Sequence, residues 1–201
     1  MSFTRKGHEL FLRIENSKKL TIALLDGLSL GGGSELALAC QAIIATKAGS
    51  MAFPETGIGI YPGLGGMLRF ALHAGPELAK YYVFTGATVS VKDAFELGII
   101  TEITEPADID QAVEKLISKG RPDKYKKREI PARFRETALL CNHGNVSKLL
   151  SGKQPEGVNG ELAAKTLKIV GFKAPLALKI SNEIIDLQAG KPVAEAIGIE
   201  L

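Results

Sequence analysis

The chain has 201 residues, of which 45% are hydrophobic and 23% are charged, a composition typical of a soluble globular domain. A formal net charge of +3 and a normal apolar content exclude an intrinsically disordered chain. Apolar runs such as residues 22–25 end at a charged residue after a few positions, so we expect no transmembrane helix.

The first predicted elements are a helix and a strand. Apolar residues recur with a helical period within residues 6–16, and residues 20–25 form a short apolar run of the strand type. A glycine-rich turn at residues 31–33 then leads into the Ala/Leu-rich segment 35–40, which has a high helix propensity. The sequence therefore predicts a strand, a glycine turn and a helix in succession.

The next segments alternate between strands, a loop and helices. Residues 54–66 contain five glycines and two prolines, which is typical of a loop that supports a functional site. Ser90 and Asp93 resemble a capping box that opens a helix ending at Gly98. The remaining predictions are strands at residues 42–45, 51–53 and 99–103 and helices at residues 67–73 and 76–84.

The chain changes character near residue 120. Nine basic residues and only two acidic ones, Asp123 and Glu129, lie between Lys115 and Arg135. A nucleic-acid site would need interleaved aromatic residues, so we favour a solvated linker. Helical patterns follow at residues 132–141, 161–170, 175–187 and 192–197. We therefore predict an α/β core (1–119), a basic linker with a helical insertion (120–158) and a C-terminal helical region (159–201).

Several site types have little support in the sequence. Cys40 and Cys141 are too few for a disulfide framework and lack metal-ligand spacing, and the three histidines are scattered. The basic N-terminus is not followed by an apolar stretch, so it is no secretory signal, and we expect a cytoplasmic protein. Residues 57–62 lack the third glycine of a dinucleotide-binding motif. We expect neither a metal nor a redox cofactor.

Residues 27–31 match the G-x-S-x-G pattern of a serine hydrolase between a strand and a helix. In that alternative Ser29 is the nucleophile and His73 or His143 is the base. Such a hydrolase needs several strands before this motif, and only 26 residues precede it. We therefore favour a turn residue at position 29.

Two glutamates lie next to glycine-rich turns. Glycines before a helix let its free N–H groups approach a substrate oxygen, where the helix dipole favours developing negative charge. Glu35 follows such a turn by one helical turn, and Glu55 follows the predicted strand 51–53. Two carboxylates with different pKa values can divide the roles of base and acid. The same residues could also be ordinary surface charges.

Four motifs in consecutive order resemble the crotonase (enoyl-CoA hydratase/isomerase) superfamily. They are LGGGSELALAC at residues 30–40, FPETGIGIYPGLGG at 53–66, FTG at 84–86 and DAFELG at 93–98. The segment APLALK at 174–179 also resembles the C-terminal helices of the superfamily. Residues 121–158 resemble an insertion in the hydratase part of archaeal 3-hydroxyacyl-CoA dehydrogenase/enoyl-CoA hydratase fusion proteins.

This resemblance implies an α/β spiral core of ββα units, incomplete at its N-terminus, with a helical C-terminal part. It implies syn hydration of a 2-enoyl-CoA in fatty-acid β-oxidation, with Glu35 and Glu55 as catalytic carboxylates. Gly31, Gly32 and Gly63 would form the oxyanion hole and bind substrate. Coenzyme A would be part of the substrate, and the protein would form a trimer or hexamer. An isomerase and a non-catalytic remnant used for assembly remain alternatives.

The sequence departs from the superfamily pattern in three respects. It lacks the earlier segment that supplies a second oxyanion donor, it stops at Leu201, and Gln41 replaces a usual acidic residue. Loss of one oxyanion donor costs about 2.7–4 kcal/mol of transition-state stabilisation. We therefore expect these 201 residues alone to show little or no turnover.

Overall fold

The computed structural model describes residues 3–126 and 129–201. Lys127 and Arg128 of the predicted basic linker lie outside the described residues. The helices are α1 (Phe3–Glu15), α2 (Gly32–Ala39), α3 (Gly66–Ala74), α4 (Pro76–Thr85), α5 (Val91–Glu96), α6 (Ile109–Lys119), α7 (Arg135–Leu140), α8 (Val146–Leu150), α9 (Gly160–Val170), α10 (Pro175–Gln188) and α11 (Val193–Ala196). The strands are β1 (Ile22–Leu25), β2 (Leu28–Leu30), β3 (Ala42–Ala45), β4 (Ser50–Ala52), β5 (Val89–Ser90) and β6 (Glu102–Ile103). Short 3₁₀ helices cover Glu55–Ile58, Pro106–Asp108, Ala132–Phe134 and Ile197–Glu200.

The strands form two small sheets, and the chain passes from the first sheet to the second twice. The first sheet has the order β1-β3-β6 and is parallel, whereas in the second, β2-β4-β5, β2 and β4 are parallel and β5 is antiparallel to β4. Residues 26–27 connect β1 to β2, and residues 46–49 connect β3 to β4. Because parallel strands need a crossover, α2 returns the chain from β2 to β3. One turn of a ββα spiral results.

The main hydrophobic core lies between these sheets and the helices α2, α3, α4 and α10. Its largest fully buried side chains include Phe53, Phe70 and Phe84. The rings of Phe53 and Phe70 meet edge to face with centroids 5.7 Å apart, so the strand-to-loop transition after β4 is fixed against α3. Leu140 and Leu149, from the segment predicted as an insertion, are buried in the same core.

The structure corrects several sequence predictions. Ser29 lies within β2 and pairs with Met51, so the predicted turn at this position is wrong. The predicted strand 99–103 is wrong at its start, because the N–H groups of Ile99 and Ile100 donate to the carbonyl of Ala94 and end α5. The predicted capping box is confirmed, since the Asp93 N–H donates to the Ser90 hydroxyl at 3.1 Å. Strands β2 and β5 and helices α6 and α8 were not predicted.

The C-terminal part is helical, as predicted. Within residues 121–126 and 129–201 the structure contains no strand. Helix α9 begins one residue before its predicted start, and α10 ends one residue after its predicted end. The predicted helix 132–141 is confirmed in an altered form, because its first three residues form a 3₁₀ helix before α7.

Candidate active site

The start of α2 presents exposed backbone amides. Gly31 precedes the helix with φ +50° and ψ −119°, and its N–H donates to the Ala52 carbonyl at 3.0 Å. The first N–H groups of a helix have no intrahelical acceptor. Gly32 and Gly33 are exposed, and a Cβ atom added at Gly32 would meet nothing within 4 Å. The amide of Gly32 can therefore approach a ligand oxygen.

Ser34 fixes this helix start against the strands. Its buried hydroxyl lies 2.8 Å from the carbonyl oxygen of Ser29 and 3.2 Å from that of Ala52, within hydrogen-bonding distance of both. These two carbonyls belong to neighbouring strands of the same sheet. The direction of α2, and hence of its open amides, is thus set by the sheet that precedes it.

Glu35 lies in the first turn of α2 and is only 2% exposed. Its Oε1 atom accepts hydrogen bonds from the N–H groups of Leu64 at 2.8 Å and Gly66 at 3.0 Å. Burial raises the pKa of Glu35 above its usual value, and the two N–H donors together with Arg69 partly offset that effect. The carboxyl group is therefore held in one orientation through a single oxygen.

Glu55 is the first residue of the 3₁₀ helix that follows β4 and is 8% exposed. Its Oε2 atom has no hydrogen-bond partner among residues 3–126 and 129–201. Burial raises the pKa of Glu55 to about 7, its own backbone N–H opposes the rise, and the nearby charge of Glu35 adds to it. Glu55 is thus a buried acid with a free oxygen and a pKa near neutrality.

The structure brings Glu35, Glu55 and Gly31 together at the start of α2. A Cβ atom added at Gly31 would lie 2.7 Å from Glu55 Oε1, so the carboxyl group of Glu55 packs directly against this glycine. Gly63 is different, because its Cα faces Tyr61 and Thr4. It lines a surface cleft between the 54–66 loop and α10.

The structure does not support the serine-hydrolase alternative. A nucleophile elbow is a strained turn between a strand and a helix. Ser29 instead lies in the regular strand β2, and no non-glycine residue within the described ranges has a positive φ. His73 contacts the ring of Tyr125 at a centroid distance of 5.0 Å, and His143 is exposed after α7.

A buried polar cluster beside Glu35 was not predicted from the sequence. Arg69 is fully buried and donates from Nε and Nη2 to Glu15 Oε2, at 3.1 and 2.9 Å. Lys124 donates to the other oxygen of Glu15 at 2.8 Å. His8 and Glu15 lie on the same buried face of α1 as Phe11. Their helical spacing was the available signal, since it places all three on one stripe.

The described residues contain neither a metal-binding cluster nor a membrane-spanning helix. No group of three or more His, Cys, Asp and Glu side chains in residues 3–126 and 129–201 is placed to hold a metal ion. No helix in these ranges is both long and apolar enough to cross a bilayer.

Comparison with known proteins gives one family. The profile described as Enoyl-CoA hydratase/isomerase matches residues 1–201. A crotonyl-CoA hydratase of Syntrophomonas wolfei is 35% identical over 123 residues, which are 59% of this chain and 47% of that protein. A fatty acid oxidation complex subunit alpha of Idiomarina loihiensis is 27% identical over 158 residues, which are 76% of this chain and 22% of that protein. The chain thus spans about half or less of the length of these relatives.

The fold is also that of solved structures. An enoyl-CoA hydratase from Rhodobacter sphaeroides superposes with a TM-score of 0.77 at 23% identity, covering 98% of this chain and 59% of that one. At this level of identity the likeness establishes a common fold, and it confirms the crotonase-type core with a helical C-terminal part that the motifs predicted.

Proposed function

The chain belongs to the enoyl-CoA hydratase/isomerase family, and from this premise we propose that its site hydrates 2-enoyl-CoA thioesters, with Glu35 and Glu55 as the acid/base pair. The single observation that supports this best is the convergence of two buried carboxyl groups beside the open amides of α2. Hydration needs a base for water and an acid for Cα, and the site offers one group for each task.

The two glutamates have different surroundings, which suggests different roles. Glu35 is anchored through Oε1 by two N–H donors, so its second oxygen can take a proton from water as that water attacks Cβ. Glu55, with a pKa near 7 and an unpaired oxygen, can deliver its proton to Cα. Both groups act from the side of the α2 start, which fits addition of water and proton to one face of the double bond.

The amides at the start of α2 supply the electrophilic assistance. Attack at Cβ moves negative charge onto the thioester oxygen. Gly32 is exposed and has open space beside its Cα at the positive end of the helix, where such an oxyanion is stabilised by free N–H groups. Donors of this kind typically contribute about 2.7–4 kcal/mol each to transition-state stabilisation.

The hydration of crotonyl-CoA, followed by the loss of enoyl-thioester absorbance, tests the proposal. Glu35→Gln and Glu55→Gln should each lower kcat by about 10²–10⁴-fold, while calorimetric titration shows that acyl-CoA binding persists. Glu156→Gln, which changes an exposed carboxylate paired with Lys148, is the matched control and should behave as wild type.

The same variants separate the alternatives. An isomerase moves one proton within its substrate, so it would convert 3-enoyl-CoA to 2-enoyl-CoA with Glu55 alone and would tolerate Glu35→Gln. A non-catalytic remnant would show no saturable acyl-CoA binding in any variant. Hydration that persists in both glutamine variants would contradict the proposed roles.

We also propose that the protein self-associates as a trimer or hexamer in the cytoplasm. Large apolar side chains are exposed on its surface, and Ile58, Phe172 and Leu176 are each more than two-thirds exposed. Exposed apolar surface of this kind supports an interface with other protein. Sedimentation equilibrium would give the assembly state, and a strictly monomeric protein at micromolar concentration would contradict the proposal.

A further inference from the structure

Three consecutive amides connect Glu35 to a second buried acid. The N–H groups of Leu64 and Gly66 donate to Glu35 Oε1 at 2.8 and 3.0 Å. Between them, the N–H of Gly65 donates to Glu200 Oε2 at 2.8 Å. The tripeptide 64–66 is therefore held by two carboxyl groups that approach it from different elements.

The peptide unit between Leu64 and Gly65 is held at both of its polar atoms. Its carbonyl oxygen accepts from Arg69 Nη1 at 3.1 Å, and its N–H donates to Glu200. Because a peptide unit is planar, fixing both atoms fixes the orientation of the whole unit. Gly65 has φ +86°, and an added Cβ would lie 2.2 Å from Arg69 Nη1, so the loop has little room to shift on this side.

Glu200 is itself anchored by other contacts. It is 2% exposed and ends the C-terminal 3₁₀ helix. Its Oε1 accepts from Gln188 Nε2 at 3.0 Å, and its main-chain carbonyl accepts from the Tyr61 hydroxyl at 3.1 Å. The carboxyl group is thus placed by α10 and by the 54–66 loop independently of Glu35.

The charged and titratable groups that face Glu200 come from three helices. His8 of α1 places Nε2 3.5 Å from Glu200 Oε2, Glu35 lies on α2 and Arg69 on α3. Burial lowers the pKa of His8, and Arg69 lowers it further, so the imidazole is neutral near pH 7. Burial raises the pKa of Glu200 to about 7, the Gln188 and Gly65 donors oppose this rise, and Glu35 adds to it.

We propose that Glu200 is a positioning residue for the acid/base pair: by fixing Gly65 it holds the flanking amides that orient the Glu35 carboxylate toward water. This role rests on the proposed hydratase function of Glu35. Without Glu200 the buried N–H of Gly65 loses its acceptor, and a buried amide without a partner drives the local backbone to rearrange. The amides of Leu64 and Gly66 would move with it.

Two substitutions at Glu200 separate the effect of its hydrogen-bond acceptor from the effect of its negative charge. Glu200→Gln keeps an oxygen for Gly65 and removes the negative charge, whereas Glu200→Ala removes both. We expect E200A to lower kcat by up to about 10²-fold with little change in KM, because small misplacements of a catalytic group have costs of that size. E200Q should retain most of the wild-type kcat.

The pKa of Glu35 distinguishes a positioning role of Glu200 from a general loss of stability. It is measured from the ¹³C shift of the Glu35 carboxyl carbon during an NMR titration. Loosened N–H bonds stabilise the ionised form less, so the pKa of Glu35 should be higher in E200A than in E200Q. Asn145→Ala is the structural control, because it removes the buried hydrogen bonds to Leu139 and Glu156. It should lower stability and leave the Glu35 titration unchanged.

If E200A does not fold, wild type and E200Q still decide the question. In wild type the amide protons of Leu64 and Gly66 should show an inflection where the carboxyl group of Glu200 titrates, and E200Q should lose it. Equal Glu35 pKa values in E200Q and a folded E200A would overturn the inference, as would wild-type titration curves of the Leu64 and Gly66 amides that show no inflection where Glu200 titrates. A wild-type protein that neither hydrates crotonyl-CoA nor binds acyl-CoA saturably would refute the proposed function instead, and the titrations would still report on Glu200.

Discussion

Replacing Glu55 with glutamine should stabilise the protein, and the gain should depend on pH. Burial raises the pKa of this carboxyl group from 4.5 to about 7. The folded state therefore binds the proton more tightly than the unfolded state, and the free energy of unfolding falls as the pH rises through that interval. At about 1.4 kcal/mol per pH unit, the free energy of unfolding of the wild-type protein falls by up to about 3 kcal/mol by pH 8. Glutamine carries no charge and escapes this loss.

Thermal unfolding of wild type and E55Q at pH 4.5 and pH 8 measures the effect. For a chain of this length, about 3 kcal/mol corresponds to a Tm difference of about 6–12 °C at pH 8, and the difference should nearly vanish at pH 4.5. Glu156→Gln provides the control, since its carboxylate is exposed and pairs with Lys148 at 2.7 Å, and it should show no gain at pH 8. A Tm difference that is the same at both pH values would refute the reasoning.

Three further predictions concern the rate, the helix start and the buried ion pair. Hydration begins with Glu35 ionised and Glu55 protonated, and dehydration begins with the proton on the other partner, so both directions need one proton on the pair. The pH profile of kcat/KM should therefore be bell-shaped in both directions and fall above about pH 7, whereas a profile that is flat from pH 5 to 9 would contradict the assignment. Gly31→Ala should cost about 1–3 kcal/mol of unfolding free energy and reduce turnover, because φ is +50° and the new Cβ would meet the Glu55 carboxyl group. Gly32→Ala, where the space is open, should be tolerated in urea unfolding, and equal losses in the two alanine variants would contradict this explanation. Glu15→Gln should lower stability by about 3–5 kcal/mol in the same assay, because it leaves a fully buried arginine without its carboxylate, and a loss below 1 kcal/mol would count against this.

Local signals in the sequence predicted one half of the candidate site. The glycines 31–33 at the start of α2 lie two to four residues before the carboxylate in its first turn, and the loop around Glu55 is marked by its glycines and prolines. These features depend on backbone conformation, which neighbouring residues determine. The prediction that Glu35 and Glu55 meet rested on the order and spacing of motifs.

The sequence pattern did not predict the contacts between residues that are far apart along the chain. Gly65 and Glu200 are 135 residues apart, and nothing in the local pattern around position 200 distinguishes a buried acid from an exposed one. The strands that escaped prediction have two or three residues, too few for a period to be recognised. The basic strip was predicted as a solvated linker, yet Lys124 within it is largely buried against Glu15. A charge pattern alone does not show which charges will find a buried partner.

The Glu15–Arg69 pair explains how an arginine can lie beside two acids whose pKa values stay high. A free guanidinium in the interior would lower the pKa of every nearby carboxyl group. Here two of its nitrogens are bound to Glu15, and a third holds the Leu64 carbonyl. Burial alone would raise the pKa of Glu15, but Arg69 and Lys124 hold that pKa below its usual range, so Glu15 stays ionised and offsets the arginine charge.

The pairing of Arg69 with Glu15 affects the whole candidate site. Arg69 still supplies a hydrogen-bond donor that orients the loop at residues 64–66. The ionised Glu15 offsets most of the arginine charge, so Arg69 has only a small effect on the pKa values of Glu35 and Glu200. For both acids burial is the largest influence on the pKa, and the opposing effect of Arg69 is the smallest of those that act. The arginine can therefore orient the backbone around the acid/base pair without fixing both acids in their ionised forms. Because hydration begins with Glu35 ionised and Glu55 protonated, the proton that the pair must keep near neutral pH lies on Glu55, whose pKa burial raises to about 7.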